Sequence, residues 1–416
     1  MTGHRVLILG GGAVGLSSAY YCLRKGHEVT VVQREAEGGD NCSMRNAGFV
    51  VPSHFVPLAA PGMMAKGIRW MLNPESPFFV KPRLDPALAR WGWLFYRHCT
   101  ERHVAASAEL LRDLNLESRR LFTELDDEGN FGLEKRGLLM LCKTQKGLDE
   151  EAEVAAQAHR LGLDAEVLDA KATTALNPGV TMDILGSVRY AQDCHLDPTR
   201  FLETLRSRVK ALGGKIVPET QVDGMVTDND RITALTAGND RFEADRFVLA
   251  AGAWTARLLA RAGIKLPLQP GKGYSLTLEN PPESPSIGAI LAEAKVTLTP
   301  MGKSVRLGGT MEIGKLDLAI SPARVRGIVK GVGDCFPRFN EEAFSEVTPW
   351  VGLRPVSADG LPYLGRSARF SNLIIATGHA MMGLSLGPVS GRLVSDLIGG
   401  DAPFRPIDAL APERFS

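Results

Sequence analysis

A glycine-rich turn near the N-terminus constrains the fold of this chain more than any other feature. A short apolar strand leads into Gly10, Gly12 and Gly15, which are spaced as Gly-x-Gly-x-x-Gly, and a helical pattern follows. In such a unit the first glycine permits the tight turn, the second lets the backbone approach a phosphate, and the third lets helix and strand pack closely. The pattern therefore predicts a dinucleotide-binding βαβ start, with Ala13 and Val14 also at the nucleotide.

The residue that follows the second strand departs from the usual pattern. An acidic residue normally accepts hydrogen bonds from the adenosine ribose there, whereas this chain has Gln33 followed by Arg34. Gln33 can still bind a ribose hydroxyl through its amide, without the strength of a charge-assisted bond. Arg34 leaves two alternatives, namely a contact to the 2′-phosphate of NADP or a solvated surface residue. The later motifs favour the second.

Bulk composition describes an ordinary globular protein. A length of 416 residues and a mass of 44.9 kDa predict two domains, because a single core seldom grows so large. The net charge of +1 argues against nucleic acid as a partner. Six scattered cysteines show no metal-ligand spacing, so we expect no metal site and reduced thiols in a cytosolic setting.

Membrane association is an open question at this stage. No segment reaches the roughly 18 uninterrupted apolar residues that a spanning helix needs, and the first strand begins too early to leave room for a signal peptide. The aromatic-rich stretch from Trp91 to His98 is typical either of a helix packed in the core, which we favour, or of one at a bilayer interface. We expect a cytoplasmic protein, with peripheral contact at the inner face of the cytoplasmic membrane as an alternative.

Nucleotide-type strands recur in the middle and near the end of the chain. Apolar runs end at Gly252 and again at Gly378, where parallel strands would present their carboxyl ends to a ligand. A single cofactor that touches the chain from residue 10 to beyond residue 380 indicates FAD in a discontinuous domain. The predicted class is α/β, with a Rossmann-like FAD-binding domain of the glutathione-reductase type in residues 1–75, 195–268 and 346–416. A second domain with a mixed β-sheet, formed by residues 76–194 and 269–345, would bind substrate.

Several motifs in a fixed order together resemble one protein family. Besides the glycine turn they are residues 43–48 with Pro52, residues 272–277, residues 306–312, residues 350–355 with Asp359 and Gly360, and residues 377–379 leading to Gly383 and Gly391. In this order they resemble the D-amino-acid oxidase superfamily of flavoproteins, and most of all the bacterial D-amino-acid dehydrogenases. The resemblance runs nearly end to end.

The resemblance implies a set of cofactor contacts. The loop after the second strand would line the pyrophosphate and the flavin ring, and Val222 would meet the adenine through its backbone. The glycine-bearing turn after residue 377 would offer N–H groups to the flavin edge where reduction develops negative charge, and two methionines would pack on the ring. The residues assigned to these roles, together with the ends of the later strands, are Ser43, Arg45, Asn46, Ala47, Gly48, Val222, Gly252, Gly378, His379, Met381, Met382, Gly383 and Leu384.

Three further side chains are candidates for the chemistry. Arg354 would bind a substrate carboxylate bidentately, the alternative being a structural salt bridge to Asp359. Tyr274 would donate its hydroxyl to the same carboxylate or simply pack. His54 would act as a general base or be a hydrogen-bonded structural residue, since hydride transfer needs no strong base.

The implied activity is oxidative deamination of D-amino acids. The α-hydrogen would leave as hydride to flavin N5, giving an imine and then a 2-oxo acid and ammonia, with electrons passing to a quinone or another carrier. A D-proline or hydroxyproline dehydrogenase and a glycine- or sarcosine-type oxidase of the same fold are alternatives. An NADP-binding redox protein, suggested by Arg34, is a more remote one.

Overall fold

The computed structural model of the protein describes residues 3–71 and 73–415. The strands in these residues are β1 (Arg5–Leu9), β2 (Glu28–Val32), β3 (Phe49–Val50), β4 (Phe78–Val80), β5 (Leu138–Cys142), β6 (Ala165–Asp169), β7 (Gly186–Tyr190), β8 (Cys194–His195), β9 (Lys215–Val217), β10 (Gly224–Asp228), β11 (Arg231–Ala237), β12 (Asp240–Glu243), β13 (Arg246–Leu249), β14 (Leu268–Glu279), β15 (Gly288–Leu291), β16 (Val296–Met301), β17 (Ser304–Ile313), β18 (Trp350–Ser357), β19 (Tyr363–Arg366) and β20 (Leu373–Thr377). The helices are α1 (Ala13–Arg24), α2 (Met63–Met71), α3 (Pro86–His98), α4 (Glu101–Gly129), α5 (Gln145–Arg160), α6 (Ala170–Leu176), α7 (Pro198–Ala211), α8 (Thr255–Arg261), α9 (Pro322–Cys335) and α10 (Gly387–Gly399).

The first sheet assembles strands from three distant parts of the chain. Its order is β19-β20-β13-β1-β2-β9, with β20, β13, β1, β2 and β9 parallel and β19 antiparallel at one edge. Both faces are covered, since Val6 and Ile8 pack toward α1 and α7 while Leu7 and Leu9 pack toward α8. This two-sided burial explains why these strands read as continuous apolar runs rather than as alternating ones. The α/β class with a Rossmann-like sheet is confirmed.

The second large sheet is mixed and has nine strands. Its order is β18-β14-β17-β16-β15-β5-β7-β6, and β4 also pairs with β17. The pairs β15–β5 and β17–β4 are parallel, and the other pairs are antiparallel. Helix α9 covers one face, where Leu276, Leu298 and Ile328 form a buried cluster. The opposite face, near β14 and β18, is left to the ligand site described below.

Three features of the fold concern the segments outside the parallel sheet. Residues 46–82 are rich in proline and glycine, yet they contain helix α2 and strand β4. Helix α4 continues through residue 129 and ends at Asn130 in a left-handed conformation. The five-segment division stays a proposal, but β18 pairs with β14 in the mixed sheet, so its last boundary fits better after Ser357 than at residue 346.

The aromatic stretch forms helix α3 and is split between core and surface. Trp91 and Phe95 are buried, and the Trp91 indole donates a hydrogen bond to the carbonyl of Val356 at 3.0 Å. Trp93 and Tyr96 are exposed on the other side of the helix. Within the described residues, every helix is too short or too polar to cross a bilayer.

Candidate active site

One large cavity lies between the carboxyl ends of the parallel sheet and the uncovered face of the mixed sheet. Its volume is about 870 Å³, and residues of β1, the β2–β3 loop, β14, β17, β18 and the turn after β20 line it. Strand ends of parallel α/β sheets are where ligands usually bind. The chain thus brings its N-terminal, middle and C-terminal parts to a single site.

The glycine turn forms one wall of the cavity with its backbone. Gly10 has φ +120°, and a Cβ there would lie 2.4 Å from the carbonyl oxygen of Ala250. A Cβ at Gly15 would lie 1.8 Å from the carbonyl oxygen of Gly10, so only glycine lets α1 start this close to the turn. The Ser43 hydroxyl accepts a hydrogen bond from the Ala13 N–H at 3.1 Å. A helix N-terminus that follows a glycine turn suits an anionic diphosphate.

Gln33 has a buried acceptor that no described residue satisfies. Its amide nitrogen donates to the carbonyls of Glu35 and Ala36, each at 3.0 Å, while Oε1 has no hydrogen-bond partner and is directed at Gly11. A buried oxygen without a donor costs free energy. A ribose hydroxyl would supply the missing donor, so the residue fits an adenosine ribose although it is not an acid.

Arg34 is held by protein groups. Its guanidinium carbon lies 4.0 Å from the centroid of the Trp254 ring, and its terminal nitrogen pairs with Glu35. A guanidinium stacked on an aromatic ring and paired with a carboxylate has little capacity left for a 2′-phosphate. The NADP alternative drawn from this residue is therefore not supported by its surroundings, although Arg34 does line the cavity.

The loop that would face the pyrophosphate and flavin is fastened by a residue that the sequence analysis missed. Buried Arg306 of β17 donates to the carbonyls of Met44 and Asn46 at 3.0 and 2.9 Å and to the Thr277 hydroxyl at 3.1 Å. Burial lowers the pKa of Arg306 to about 10. This arginine is the first residue of the motif at 306–312, but a single sequence does not show that an arginine on a distant strand binds this loop.

The turn after β20 also lines the cavity. Gly378 and Ala380 both have positive φ, which folds the backbone of residues 378–384 tightly against the site. His379 in this turn is buried, and its Nε2 lies 2.9 Å from the Ser390 hydroxyl. Burial lowers the pKa of His379 to about 4, so the ring is neutral at physiological pH.

Arg354 presents an unpaired cation to the cavity. One terminal nitrogen donates to the carbonyl of Thr310, and among the described residues no carboxylate pairs with the guanidinium. The suggested partner Asp359 binds Arg414 instead, through two bonds of 2.8 Å. A Cβ at Gly273 would lie 2.1 Å from the guanidinium, so this glycine makes room for it to lie across β14. Burial lowers the pKa of Arg354 from its usual value.

Tyr274 lines the cavity, but its hydroxyl is engaged elsewhere. The ring packs with Leu276 and Ile328 on the face that α9 covers, and the hydroxyl accepts a hydrogen bond from the Ser321 N–H at 3.3 Å. This arrangement favours packing over the predicted role in carboxylate binding, because successive residues of a strand face opposite sides and Tyr274 shares the side of Leu276. A sequence pattern without the sheet register could not show which side Tyr274 would take.

His54 lines the cavity, and its ring is hydrogen-bonded to a neighbouring side chain. Its Nδ1 lies 3.1 Å from the Ser53 hydroxyl. Burial, with a smaller contribution from Lys295, lowers the pKa of His54 to about 4. A neutral imidazole facing a cavity can accept a proton there.

Most of the predicted site residues meet at this cavity. The three catalytic candidates line it, and so do Gly10, Gly12, Ala13, Val14, Gln33, Arg34, Ser43, Arg45, Asn46, Ala47, Val222, Gly252, His379, Met381, Met382, Gly383 and Leu384.

Three predicted contacts, Gly15, Gly48 and Gly378, are absent from the lining and pack behind it. A Cβ on these residues would approach the Gly10 carbonyl, the Leu196 carbonyl and the Tyr363 ring, respectively. Lining residues that the sequence analysis missed include Gly11, Cys42 and Trp254. The run of three consecutive glycines at residues 10–12 was the available signal for Gly11.

Comparisons with known proteins agree with this architecture. A family model described as "FAD dependent oxidoreductase" (DAO) matches residues 5–397. A D-amino acid dehydrogenase of Bradyrhizobium diazoefficiens is 34% identical over 99% of both chains, and one of Granulibacter bethesdensis is 35% identical over 99% of this chain and 100% of its own. The crystal structure of glycine oxidase from Geobacillus kaustophilus aligns with a TM-score of 0.78 at 22% identity, covering 99% of both chains.

Proposed function

This chain belongs to the DAO family of FAD-dependent oxidoreductases, and on that premise we propose that it oxidises D-amino acids to imines, which hydrolyse to 2-oxo acids and ammonia. The names of its curated relatives support the substrate class. D-Proline or hydroxyproline oxidation and a glycine- or sarcosine-type activity are narrower alternatives on the same site.

The unpaired guanidinium of Arg354 is the observation that carries the proposal. It is fixed on β18 by the Thr310 carbonyl, and its neighbour Asp359 is already neutralised by Arg414. Burying a cation in an enclosed cavity costs free energy unless an anion pairs with it. An α-carboxylate is the anion that a planar guanidinium binds bidentately, and such binding would orient the rest of an amino acid.

The residues present fit FAD. The glycine turn brings backbone without side chains to the cavity at the N-terminus of α1. Gln33 Oε1 has no hydrogen-bond donor among the described residues. The same cavity is lined by both of these features and by Arg354. When bound, FAD supplies the acceptor for the two electrons that leave the substrate with the α-hydrogen. The chain's own groups hold the carboxylate at Arg354, keep neutral rings at His54 and His379, and enclose the site.

Anaerobic mixing with amino acids tests the activity. Purified holoenzyme should lose its yellow colour with at least one D-amino acid in a panel that includes D-proline, hydroxyprolines, glycine and sarcosine, while L-enantiomers leave it oxidised. Bleaching by L-amino acids only, or by none of the panel, would contradict the proposal. The pattern across the panel separates the narrower alternatives.

We also propose a quinone or another carrier as the electron acceptor, reached at the membrane surface. Helix α2 supports this idea, because Ile68 is 61% exposed beside Met64 and Met71 while Lys66 and Trp70 of the same helix line the cavity mouth. Reduced enzyme should be reoxidised faster by a short-chain ubiquinone than by oxygen. Binding to anionic phospholipid vesicles should fall in Ile68→Glu and not in Leu212→Glu, which alters an exposed leucine at the end of α7. Equal binding by both variants would contradict the α2 contact.

A further inference from the structure

His54 is the cavity end of a hydrogen-bonded chain that leads into the protein. Its Nδ1 lies 3.1 Å from Ser53 Oγ, and Ser53 Oγ lies 2.5 Å from a carboxylate oxygen of Asp193. The other oxygen of Asp193 accepts the Ser53 N–H at 3.0 Å. Asp193 itself is only 1% exposed. The three residues therefore connect the cavity to a buried carboxyl group through two short steps.

The direction of these bonds sets the state of the imidazole. An ionised Asp193 accepts the Ser53 O–H, so Ser53 Oγ is left to accept a hydrogen bond from His54 Nδ1–H. In that tautomer His54 Nε2 carries a lone pair, and the residue borders the cavity. His54 thus presents a proton acceptor to the cavity that Arg354 also lines.

We propose that His54, Ser53 and Asp193 form a proton relay that removes a proton from the substrate's ammonium group, an inference that rests on the proposed oxidation of amino acids. The N–H bond of the ammonium breaks as His54 Nε2 gains the proton. The Nδ1 proton passes to Ser53 Oγ, whose own proton passes to Asp193. The ammonium becomes a neutral amine, the carboxylate becomes a carboxylic acid, and no electron moves. Oxidation needs the neutral amine, because its lone pair forms the C=N bond as the α-hydrogen leaves.

The charges around the relay suit this transfer. Burial raises the pKa of Asp193 to about 7, whereas Arg119 of α4 and the two bonds from Ser53 act in the opposite direction. Burial raises the pKa of Tyr190 and of Cys194, and the negative charge of nearby Asp193 raises both further. On the cavity side, Lys295 disfavours a lasting charge on His54, and Glu151 of α5 faces Lys295. A proton is therefore held more readily at Asp193 than at His54.

The pH dependence of flavin reduction tests the relay. In Asp193→Asn and Ser53→Ala, anaerobic bleaching by the best D-amino acid should be roughly 100-fold slower than wild type at pH 7, the scale of lost general-base catalysis. Both variants should come closer to the wild-type rate as the pH rises to about 10 and above, because a growing fraction of the free amino acid is then already deprotonated. A purely structural role would slow the reaction equally at every pH. Ser187→Ala removes a buried hydroxyl that bonds Thr173 at 2.8 Å outside the cavity lining, and it should leave the profile unchanged.

A second measurement needs no substrate. Infrared difference spectra of wild-type holoenzyme should show a protonated carboxyl band that titrates near pH 7, and this band should vanish in Asp193→Asn. Absence of the band in wild type, or bleaching profiles of both variants parallel to wild type, would overturn the relay. Failure of wild type to bleach with any D-amino acid would instead overturn the proposed function. If Asp193→Asn does not fold, Ser53→Ala decides the kinetic test, because it keeps the Ser53 N–H bond to the carboxylate.

Discussion

The two walls of the cavity are built by different means. On the side of the parallel sheet, the glycine turn and the loop after β2 offer mainly backbone groups and close approaches, such as Gly15 against the Gly10 carbonyl. On the other side, the important groups are side chains with shifted pKa values, namely Arg354 of the mixed sheet, His54 of the loop after β3 and the Asp193 behind it. The first wall depends on the absence of side chains and the second on their chemistry.

This difference predicts how each wall responds to change. Where the wall is formed by closely packed backbone, an added side-chain atom disrupts it, but a change of pH does not, because backbone groups do not titrate. A wall made of buried ionisable groups keeps its shape under conservative substitution but loses function with charge and pH. The following substitutions test that contrast.

Gly15→Ala should have the largest effect, namely loss of bound flavin to background. The added Cβ would lie 1.8 Å from the Gly10 carbonyl oxygen, so the turn and α1 cannot both keep their places. The ratio of flavin absorbance to protein absorbance measures it. Gly92→Ala is the control: a Cβ within α3 would meet no atom within 4 Å, and we expect about 1 kcal/mol of added stability from helix propensity. Normal flavin content in Gly15→Ala would remove the contrast between the walls.

Arg354→Leu should retain flavin and lose activity. Removing the charged partner of a buried carboxylate typically costs about 2–5 kcal/mol, which is roughly 30- to 5000-fold in kcat/KM. Arg354→Lys should retain only part of the wild-type kcat/KM, because an ammonium group cannot bind a carboxylate bidentately. Steady-state kinetics together with the flavin content measure the effect. Unchanged kinetics in Arg354→Leu would place the carboxylate elsewhere.

Gln33→Met should weaken FAD binding by about 1 kcal/mol, roughly fivefold in the dissociation constant. The reason is that the substitution removes the buried oxygen that we match to a ribose hydroxyl, together with the two bonds that hold the side chain. Titration of apoprotein with FAD, followed by flavin fluorescence, measures the constant. Gln145→Met on the exposed start of α5 serves as the control. Equal affinity in both variants would mean that Gln33 makes no cofactor contact.

Asp193→Asn should also change the pH dependence of stability. The carboxyl pKa is about 7 in the folded protein and about 3.9 in an unfolded chain. The folded state therefore binds this proton more tightly, and the resulting stabilisation is full below pH 4 and lost as the pH rises through 7. Asparagine does not titrate, so the melting temperature of the variant relative to wild type should be higher at pH 8 than at pH 5. A constant difference would show that Asp193 is not the buried titrating group.

Residues of both walls could be predicted from the sequence, but the side chains that hold those residues in place could not. The glycine turn follows from a local pattern, since strand, turn and helix are adjacent in the chain, and the FAD cofactor and the family follow from the order of several such motifs. Arg306 and Asp193 were missed because their partners lie on distant segments. Tyr274 shows the same limit in another form: the side of a strand that a residue faces depends on pairing register, which a single sequence does not reveal.

The strand order of the parallel sheet has a consequence for how the protein is made. Strand β1 lies between β2 and β13, and β13 in turn lies next to β20, which ends at residue 377. During synthesis β1 can pair with β2 at once, but β13 leaves the ribosome more than 100 residues before its other neighbour β20. The nascent chain must therefore keep the open edge of β13 protected until β20 has been made, and a product truncated before residue 373 cannot close the pocket for its yellow prosthetic group.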